Sequence, residues 1–214
     1  MPKKIQIIPA ILAFDLEQLK SQYKKVAKDF DLLQIDIMDG EFVSSKNNLS
    51  PRKIKKIVKQ QPLEIHLMVQ DINSYIGQWS TFKNVKRIIW HYEALPDEEA
   101  IIQAVRWLKK QNIKAGLAIN PTTTLKKILP LIKKFDTILI MGVTPGKQNQ
   151  TFNRKALSKI KKLRKKFPNL NIEIDGGVND KNYSKITKAG ANLIAIGGYL
   201  QQAEDIKQAI AKLK

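Results

Sequence analysis

The stretch Ile174–Val178, which reads IDGGV, joins the end of a predicted strand to the start of a predicted helix through two glycines. A second glycine pair, Gly197-Gly198, follows the next predicted strand. Glycines at such a junction let backbone N–H groups approach an anion, and the amino end of a helix favours negative charge. In a (β/α)8 barrel a phosphate commonly binds at the loops after strands seven and eight. The two pairs therefore favour a barrel that binds a phosphorylated substrate.

Strand-like and helix-like segments alternate along the whole chain. The strand-like segments are short and apolar, as expected for strands that are covered on both faces. We predict eight of them: Ile5–Ile8, Leu32–Ile37, Leu63–Leu67, Arg87–His91, Lys114–Ile119, Thr137–Met141, Asn171–Asp175 and Asn192–Ile196. Helix start signals lie between them: Asp15 before Leu16–Val26, Pro51 before Arg52–Lys59, Pro96-Asp97 before Ala100–Lys109 and Asn179-Asp180 before Tyr183–Lys188.

Eight strands, each followed by a helix, predict a single-domain (β/α)8 TIM barrel over residues 1–214. A doubly wound open sheet is the alternative. Its glycine-rich phosphate fingerprint should follow the first strand, where Pro9–Leu12 contains no glycine. The position of Gly190 after the seventh helical segment predicts a helix C-cap.

The composition excludes several functional classes. The longest apolar runs are a few residues long, which predicts no membrane span. The chain has no cysteine, which rules out disulfides, thiolate zinc sites and a cysteine nucleophile, and which fits a reducing compartment. Met1–Lys4 leads directly into a predicted strand and leaves no room for the apolar segment of a signal peptide. We therefore expect a cytoplasmic protein.

The net charge of +19 comes mainly from lysine. A polyanion-binding surface is one interpretation. We prefer a solvated lysine coat, because the lysines are spread over predicted outer helix faces and because lysine lacks the bidentate fork of arginine. Weak, salt-sensitive contact with nucleic acid follows from such a coat, whereas specific nucleic-acid recognition does not.

Polar side chains gather at the carboxyl ends of the predicted strands, where barrels carry their active sites. Asp36, His66 and Asp175 each end a different strand, and Gln34 shares a strand face with Asp36. A buried carboxylate needs a metal, a cation or hydrogen bonds, and imidazole with carboxylates suits a divalent metal. Two carboxylates beside a metal could remove and return a proton next to a carbonyl, one on each face of the carbon.

Each of these side chains also has a simpler interpretation. Asp36 could cap a turn, although Asp39-Gly40 is the better turn candidate. His66 could be an interior histidine with satisfied hydrogen bonds, and His91 could contact substrate or be oriented by Glu93. Three methionines near strand ends could line the substrate pocket or fill gaps in the core: Met38, Met68 and Met141.

The chain resembles the ribulose-phosphate 3-epimerase family of phosphate-binding barrels almost from end to end. The matching segments are PAIL at Pro9–Leu12, DIMDG at Asp36–Gly40, HLMV at His66–Val69, NP at Asn120–Pro121, MGVTPG at Met141–Gly146 and DGGV at Asp175–Val178. In this order and at these spacings, the set is highly specific for the family.

The resemblance implies epimerisation at C3 of a ketose phosphate, most simply D-ribulose 5-phosphate to D-xylulose 5-phosphate in the pentose phosphate pathway. It implies that Asp36 and Asp175 are the catalytic proton carriers, working through an enediolate, and that Asp36, His66, Asp175 and Gln34 form the metal site. It further implies a divalent metal (zinc, iron, manganese or magnesium) and a homo-oligomer. The substrate and its phosphate would contact His66, Gly146, Gly176, Gly177, Gly197 and Gly198.

The chain also departs from the family pattern at several positions of the same site. Gln34 replaces a metal-binding histidine, which predicts weaker metal binding or a shift toward manganese or magnesium. Ala10 and Gly142 replace serines, and a glycine-rich loop reads Gly146-Lys147-Gln148-Asn149-Gln150. These departures leave two alternatives open: an epimerase for another ketose phosphate, such as a hexulose 6-phosphate, or a non-catalytic barrel that binds sugar phosphates.

Overall fold

Eight parallel strands close into a barrel in chain order, so that β8 pairs with β1. The computed structural model describes residues 3–94 and 97–213. The strands are β1 (Gln6–Ile11), β2 (Leu33–Met38), β3 (Leu63–Met68), β4 (Val85–His91), β5 (Lys114–Ile119), β6 (Thr137–Met141), β7 (Asn171–Asp175) and β8 (Leu193–Ile196). The predicted TIM barrel is confirmed. That one domain spans all of residues 1–214 stays a prediction.

Helices alternate with the strands and cover the outside of the barrel. They are α1 (Leu16–Val26), α2 (Pro51–Val58), α3 (Ile72–Ser80), α4 (Glu98–Lys110), α5 (Leu125–Ile128), α6 (Lys155–Lys166), α7 (Tyr183–Ala189), α8 (Gly198–Gln202) and α9 (Ile206–Lys212). Short 3-10 turns occupy Tyr92–Ala94 and Ile132–Lys134. Among the described residues, no helix is both long and apolar enough to cross a bilayer.

Two of the predicted helix start signals act as side-chain caps, whereas Asn179-Asp180 does not cap α7, which begins after Asn182. Asp15 accepts a hydrogen bond from the backbone N–H of Gln18 at 2.8 Å, and Asp97 accepts one from that of Ala100 at 2.7 Å. Such caps satisfy backbone donors that a helix amino end leaves free. Pro51 is the first residue of α2, whereas the predicted signal at Pro96 lies outside the described residues. Gly190 ends α7 with φ of 113°, as predicted for a left-handed C-cap.

The first strand is longer than the sequence predicts. It runs to Ile11 instead of ending at Ile8, and Ala10 pairs in register with Gln34 on β2. Proline removes a ladder donor and is therefore a signal against a strand interior. The buried Ala10 and Ile11 continue the ladder past Pro9 because β2 and β8 flank both sides of the strand.

On β2, β3 and β7 the period of two separates an apolar outer face from a largely polar inner face. On β2, Leu33, Ile35 and Ile37 belong to the hydrophobic core beneath the helices, whereas Gln34 and Asp36 lie on the opposite face. The same alternation directs Glu64 and His66 on β3, and Glu173 and Asp175 on β7, into the barrel. On these strands the polar side chains therefore line the lumen, and the apolar side chains of the outer faces form the hydrophobic core beneath the helices.

A buried charge cluster forms the floor of the lumen below the strand ends. The Arg87 guanidinium on β4 donates to Glu64 on β3 and, at 3.0 Å, to Glu173 on β7. Both glutamates are fully buried. Burial, followed by repulsion from Glu64, holds the pKa of Glu173 well above its ordinary value, and Arg87 opposes that shift. We call Glu64, Arg87 and Glu173 the floor cluster; the sequence patterns did not predict it.

Candidate active site

Asp36, His66 and Asp175 meet at the carboxyl end of the barrel, as the sequence predicts. Asp36 and His66 are register partners on β2 and β3, and Asp175 ends β7 across the lumen. Nδ1 of His66 lies 3.2 Å from Oδ1 of Asp36 and 3.4 Å from Oδ2 of Asp175. One ligand atom from each residue lies within 4.8 Å of the other two, and all three side chains are buried.

Gln34 lies between the two carboxylates. Its amide nitrogen Nε2 donates to Oδ1 of Asp36 and to Oδ2 of Asp175, each at 2.8 Å. Its Oε1 is buried and accepts no hydrogen bond from the described part of the chain. The two negative charges attract the donor end of the amide, so that the carbonyl oxygen, the atom that could coordinate a cation, makes neither of these contacts.

The electrostatics of the metal-free site reflect these close carboxylates. Burial and the neighbouring charge of Asp175 raise the pKa of Asp36, against a hydrogen bond from His66. Burial alone would lower the pKa of His66. Hydrogen bonds to Asp175 and Asp36 outweigh burial and raise the pKa of His66 to about 10. The imidazolium form of His66 thus offsets part of the negative charge of the two aspartates.

The donor set fits a divalent metal ion. Two carboxylates and one imidazole nitrogen converge on one point, a combination that binds first-row divalent metals. A half-turn of the Gln34 amide would present Oε1 to the same point as a fourth ligand and third oxygen. The amide nitrogen would then occupy the place of an oxygen that now has no hydrogen-bond partner among the described residues.

A small cavity opens beside the carboxylates and leads toward the glycine pairs. Its volume is about 50 Å³, and Gly176, Gly177, Gly197 and Gly198 line it together with Asp36, His66 and Asp175. The same four glycines line an outer cavity of about 380 Å³. Gly176 and Gly177 have φ of 100° and 71°, conformations that side chains rarely adopt.

The β6–α6 loop, Gly146–Gln150, separates the two cavities. Its Gln148 and Asn149 side chains pack onto Gly197 and Gly198. A Cβ built on Gly198 would lie only 2.1 Å from Oδ1 of Asn149. Asn149 has φ of 60°, which asparagine tolerates better than most residues. The loop thus keeps a left-handed position although it lacks the glycines that the resemblance leads one to expect.

The structure also explains one departure from the family pattern. A Cβ built on Gly142 would lie 2.3 Å from the backbone oxygen of Gly176 and 2.9 Å from the Phe152 ring. A serine side chain therefore does not fit at position 142 in this arrangement. Ala10 lines the cavity, as its predicted place at a strand end implies.

The three methionines divide between cavity and core. Met68 and Met141 line the cavity. Met38 is fully buried and packs with Leu12, Val43 and Met68 instead of lining it. Two of the three methionines thus lie at the cavity and Met38 packs behind Met68; that they form the wall of a substrate pocket stays a prediction.

Two groups of polar residues near the site were not predicted to act there. Gln148 and Asn149 stand over the glycine pairs, and the only signal for them was the unusual composition of their loop. The floor cluster lies two residues below His66 and Asp175 on their strands. The strand period placed Glu64 and Glu173 on the lumen face, but no local pattern identified Arg87 as their partner.

Comparison with known proteins agrees with these features. The model of the ribulose-phosphate 3 epimerase family matches residues 6–201. The ribulose-phosphate 3-epimerase of Schizosaccharomyces pombe is 33% identical over 98% of this chain and 92% of its own length. That of Bacillus subtilis is 33% identical over 98% of both chains. That of Escherichia coli strain K12 is 28% identical over 99% of this chain and 96% of its own.

Solved structures with low sequence identity share the fold. A mutant tryptophan synthase alpha-subunit from Pyrococcus furiosus superposes with a TM-score of 0.73 at 13% identity, and the match covers 100% of this chain and 99% of that one. KGPDC from Streptococcus mutans gives a TM-score of 0.71 at 11% identity, with 99% and 96% of the two chains covered. At these identities the likeness concerns the barrel alone.

Proposed function

The chain belongs to the ribulose-phosphate 3-epimerase family of isomerases, and on this premise we propose that it inverts C3 of D-ribulose 5-phosphate to give D-xylulose 5-phosphate. The observation that carries the proposal is the convergence of Asp36 and Asp175 on one cavity that continues to two glycine pairs. Two carboxylates supply a proton carrier for each face of a carbon, and glycine-lined backbone suits a phosphate.

The two aspartates divide the proton transfer between them. In the forward direction Asp36 takes the proton from C3 of the substrate, which leaves a planar enediolate. Asp175, which starts the cycle protonated, then delivers its proton to the opposite face of C3, so that the stereocentre is inverted. Proton exchange with water afterwards restores both carboxyl groups, and no atom is gained or lost. In the reverse direction the two residues exchange roles.

Asp36, His66 and Asp175 would hold a divalent metal, with Gln34 as a fourth ligand when its Oε1 faces the site. Such an ion supplies a positive charge that stabilises the developing negative charge on the substrate oxygens. Because an amide oxygen is a hard ligand, the set of three oxygens and one nitrogen favours manganese, iron or magnesium relative to a site with two imidazoles.

The phosphate of the substrate would bind at Gly176-Gly177 and Gly197-Gly198, with Gly146 and Lys147 beside it. The inner cavity, at about 50 Å³, is far smaller than the roughly 300–1,000 Å³ of ordinary ligand sites. The β6–α6 loop must therefore shift to admit a sugar phosphate. When the side chains of Gln148 and Asn149 move away from the glycine pairs, the inner and outer cavities join. The backbone N–H groups of the glycines then become available to the phosphate.

Proton exchange at C3 in deuterated water tests the proposal. The purified protein is incubated with D-ribulose 5-phosphate or D-xylulose 5-phosphate and with each divalent metal, and deuterium at C3 is followed by NMR. We expect deuterium in the product with both substrates. Absence of deuterium at C3 under every metal would remove this substrate pair, and faster turnover of a hexulose 6-phosphate would reassign the substrate.

Two variants separate the roles of the aspartates. Asp36→Asn should still exchange C3 of D-xylulose 5-phosphate but not that of D-ribulose 5-phosphate, and Asp175→Asn should show the reverse pattern. Each should lose net epimerisation by about 10²-fold or more. Asp29→Asn, an exposed aspartate after α1, is the matched control and should keep the wild-type rate. Identical exchange patterns in the two site variants would contradict the assignment.

A further inference from the structure

His91 and Glu93 lie behind His66 and form a chain of polar groups that leads away from the cavity. Nε2 of His66 lies 2.9 Å from Nε2 of His91, and the two rings meet edge to edge, with an interplanar angle of 23° and centroids 5.0 Å apart. His91 is fully buried and does not line the cavity. In this arrangement its Nδ1 lies near Glu93 and its ring does not face the cavity, which fits one of the two roles that the sequence left open for it, orientation by Glu93.

The nitrogen–nitrogen contact fixes the position of one proton. Of two imidazole nitrogens at hydrogen-bonding distance, one must carry a proton and the other must accept it. For Nδ1 of His66 to bind a metal, this nitrogen must be free of its proton, so that Nε2 of His66 is protonated. Nε2 of His91 must then be the acceptor, and the proton of a neutral His91 resides on Nδ1.

The surroundings of His91 match that assignment. Nδ1 of His91 lies 3.5 Å from Oε2 of Glu93, whose side chain is only 22% exposed. The side chain of Asn120 also faces this ring. Its Oδ1 is buried and has no donor among the described residues. Nδ1 of His91 makes no hydrogen bond of normal geometry among the described residues. A proton on this nitrogen would nevertheless face the Glu93 carboxylate favourably, whereas a bare Nδ1 would direct its lone pair at a negative charge.

Glu93 is itself held in place. Its Oε1 accepts hydrogen bonds from the Thr123 hydroxyl and, at 2.9 Å, from the backbone N–H of Asn120. The Phe42 ring packs on the other side of His91, with centroids 4.8 Å apart. The carboxylate and the aromatic ring thus leave the His91 imidazole little freedom to turn over.

We infer that His91 and Glu93 are positioning residues, which hold His66 with its proton on Nε2 and its Nδ1 directed at the metal point between Asp36 and Asp175. The inference rests on the proposed function, because it gives the metal site of that function its ligand geometry. Outer partners of this kind orient metal-binding histidines, and their loss typically weakens metal affinity by roughly 10–100-fold.

Nitrogen NMR tests the proton positions without metal or substrate. The chain contains only two histidines, so that protein labelled with 15N-histidine shows two imidazole rings, and His91→Gln assigns them. In the wild-type protein we expect His91 to be protonated at Nδ1 and bare at Nε2, with a scalar coupling across the hydrogen bond to Nε2 of His66. Protonation of His91 at Nε2, or absence of that coupling in folded protein, would overturn the inference.

Metal affinity tests the consequence. Glu93→Leu and His91→Leu should each weaken manganese binding by roughly 10–100-fold in a titration, whereas Glu93→Gln, which keeps an acceptor oxygen, should recover most of the affinity. Glu99→Leu, an exposed glutamate on α4, is the control and should bind as the wild type does. Unchanged affinity in Glu93→Leu would refute the inference. A normal wild-type NMR result with no epimerase activity would instead refute only the proposed function.

Discussion

Replacing Arg87 in the floor cluster should destabilise the protein strongly. Arg87→Met keeps much of the side-chain volume but leaves Glu64 and Glu173, both fully buried, without their positive partner. Breaking a buried ion pair by removal of one partner costs about 3–5 kcal/mol. For a chain of this size, each kcal/mol lowers the melting temperature by about 2–4 °C, which predicts a fall of about 6–20 °C.

Urea unfolding followed by tryptophan fluorescence measures this change, because Trp79 and Trp90 are fully buried. The matched control is Lys86→Met, which removes an exposed cation from the same strand and should stay within about 0.5 kcal/mol of the wild type. A triple variant that adds Glu64→Gln and Glu173→Gln to Arg87→Met should recover much of the loss, since no uncompensated charge then remains buried.

The loss of stability caused by Arg87→Met should grow as the pH rises. The folded-state pKa of Glu173 is raised, so the folded protein holds this proton more tightly than the unfolded chain does. Stability from such a group is present below the unfolded pKa and is lost as pH rises through the folded pKa. The penalty of Arg87→Met should therefore be smaller at about pH 5.5 than at about pH 8. A loss equal to that of Lys86→Met at both pH values would refute the reasoning.

Three further predictions concern the site itself. Gln34→His adds an imidazole to the ligand set and should tighten zinc binding on the order of tenfold or more in a chelator competition; unchanged affinity would exclude Gln34 from the metal site. Gly198→Ala places a Cβ 2.1 Å from Oδ1 of Asn149 and should raise the KM for the phosphorylated substrate by about tenfold. The control is Gly77→Ala, whose added Cβ has open space around it and should leave KM unchanged. In metal-stripped protein the raised pKa of His66, about 10 when folded and about 6.5 when unfolded, should make the urea midpoint fall as pH rises from about 6.5 through about 10. His66→Gln should remove that fall, and a flat midpoint in the wild type would contradict the assigned ion pairs.

Much of the fold could be predicted because it is encoded locally. Short apolar runs, capping residues and glycine stops gave seven of the strands nearly their observed bounds, and Asp15 and Gly190 marked helix ends that the structure contains. The error in the predicted end of β1 also has a local cause. Proline favours a strand end when the neighbouring strands are unknown, so the prediction stopped before Pro9, whereas β1 continues to Ile11. The strand period likewise predicted which of Asp36, His66 and Asp175 would face the lumen.

Side-chain contacts between different strands could not be predicted from local sequence patterns. Nothing adjacent to Arg87 in sequence indicates that it reaches Glu64 and Glu173, and nothing adjacent to Gln34 indicates which end of its amide faces the aspartates. These contacts depend on the register of parallel strands and on closure of β8 against β1, which bring together residues as many as 141 positions apart.

The amino-acid sequence by itself determined the barrel, the family and the three residues that meet at its carboxyl end, because periodicity and motif order are properties of the chain. Only the tertiary structure decided the amide bridge of Gln34, the contact between Nε2 of His66 and Nε2 of His91, and the cover that Gln148 and Asn149 place over the glycines. The physical reason is that hydrogen-bond direction and side-chain packing depend on distances between elements, which no local pattern specifies.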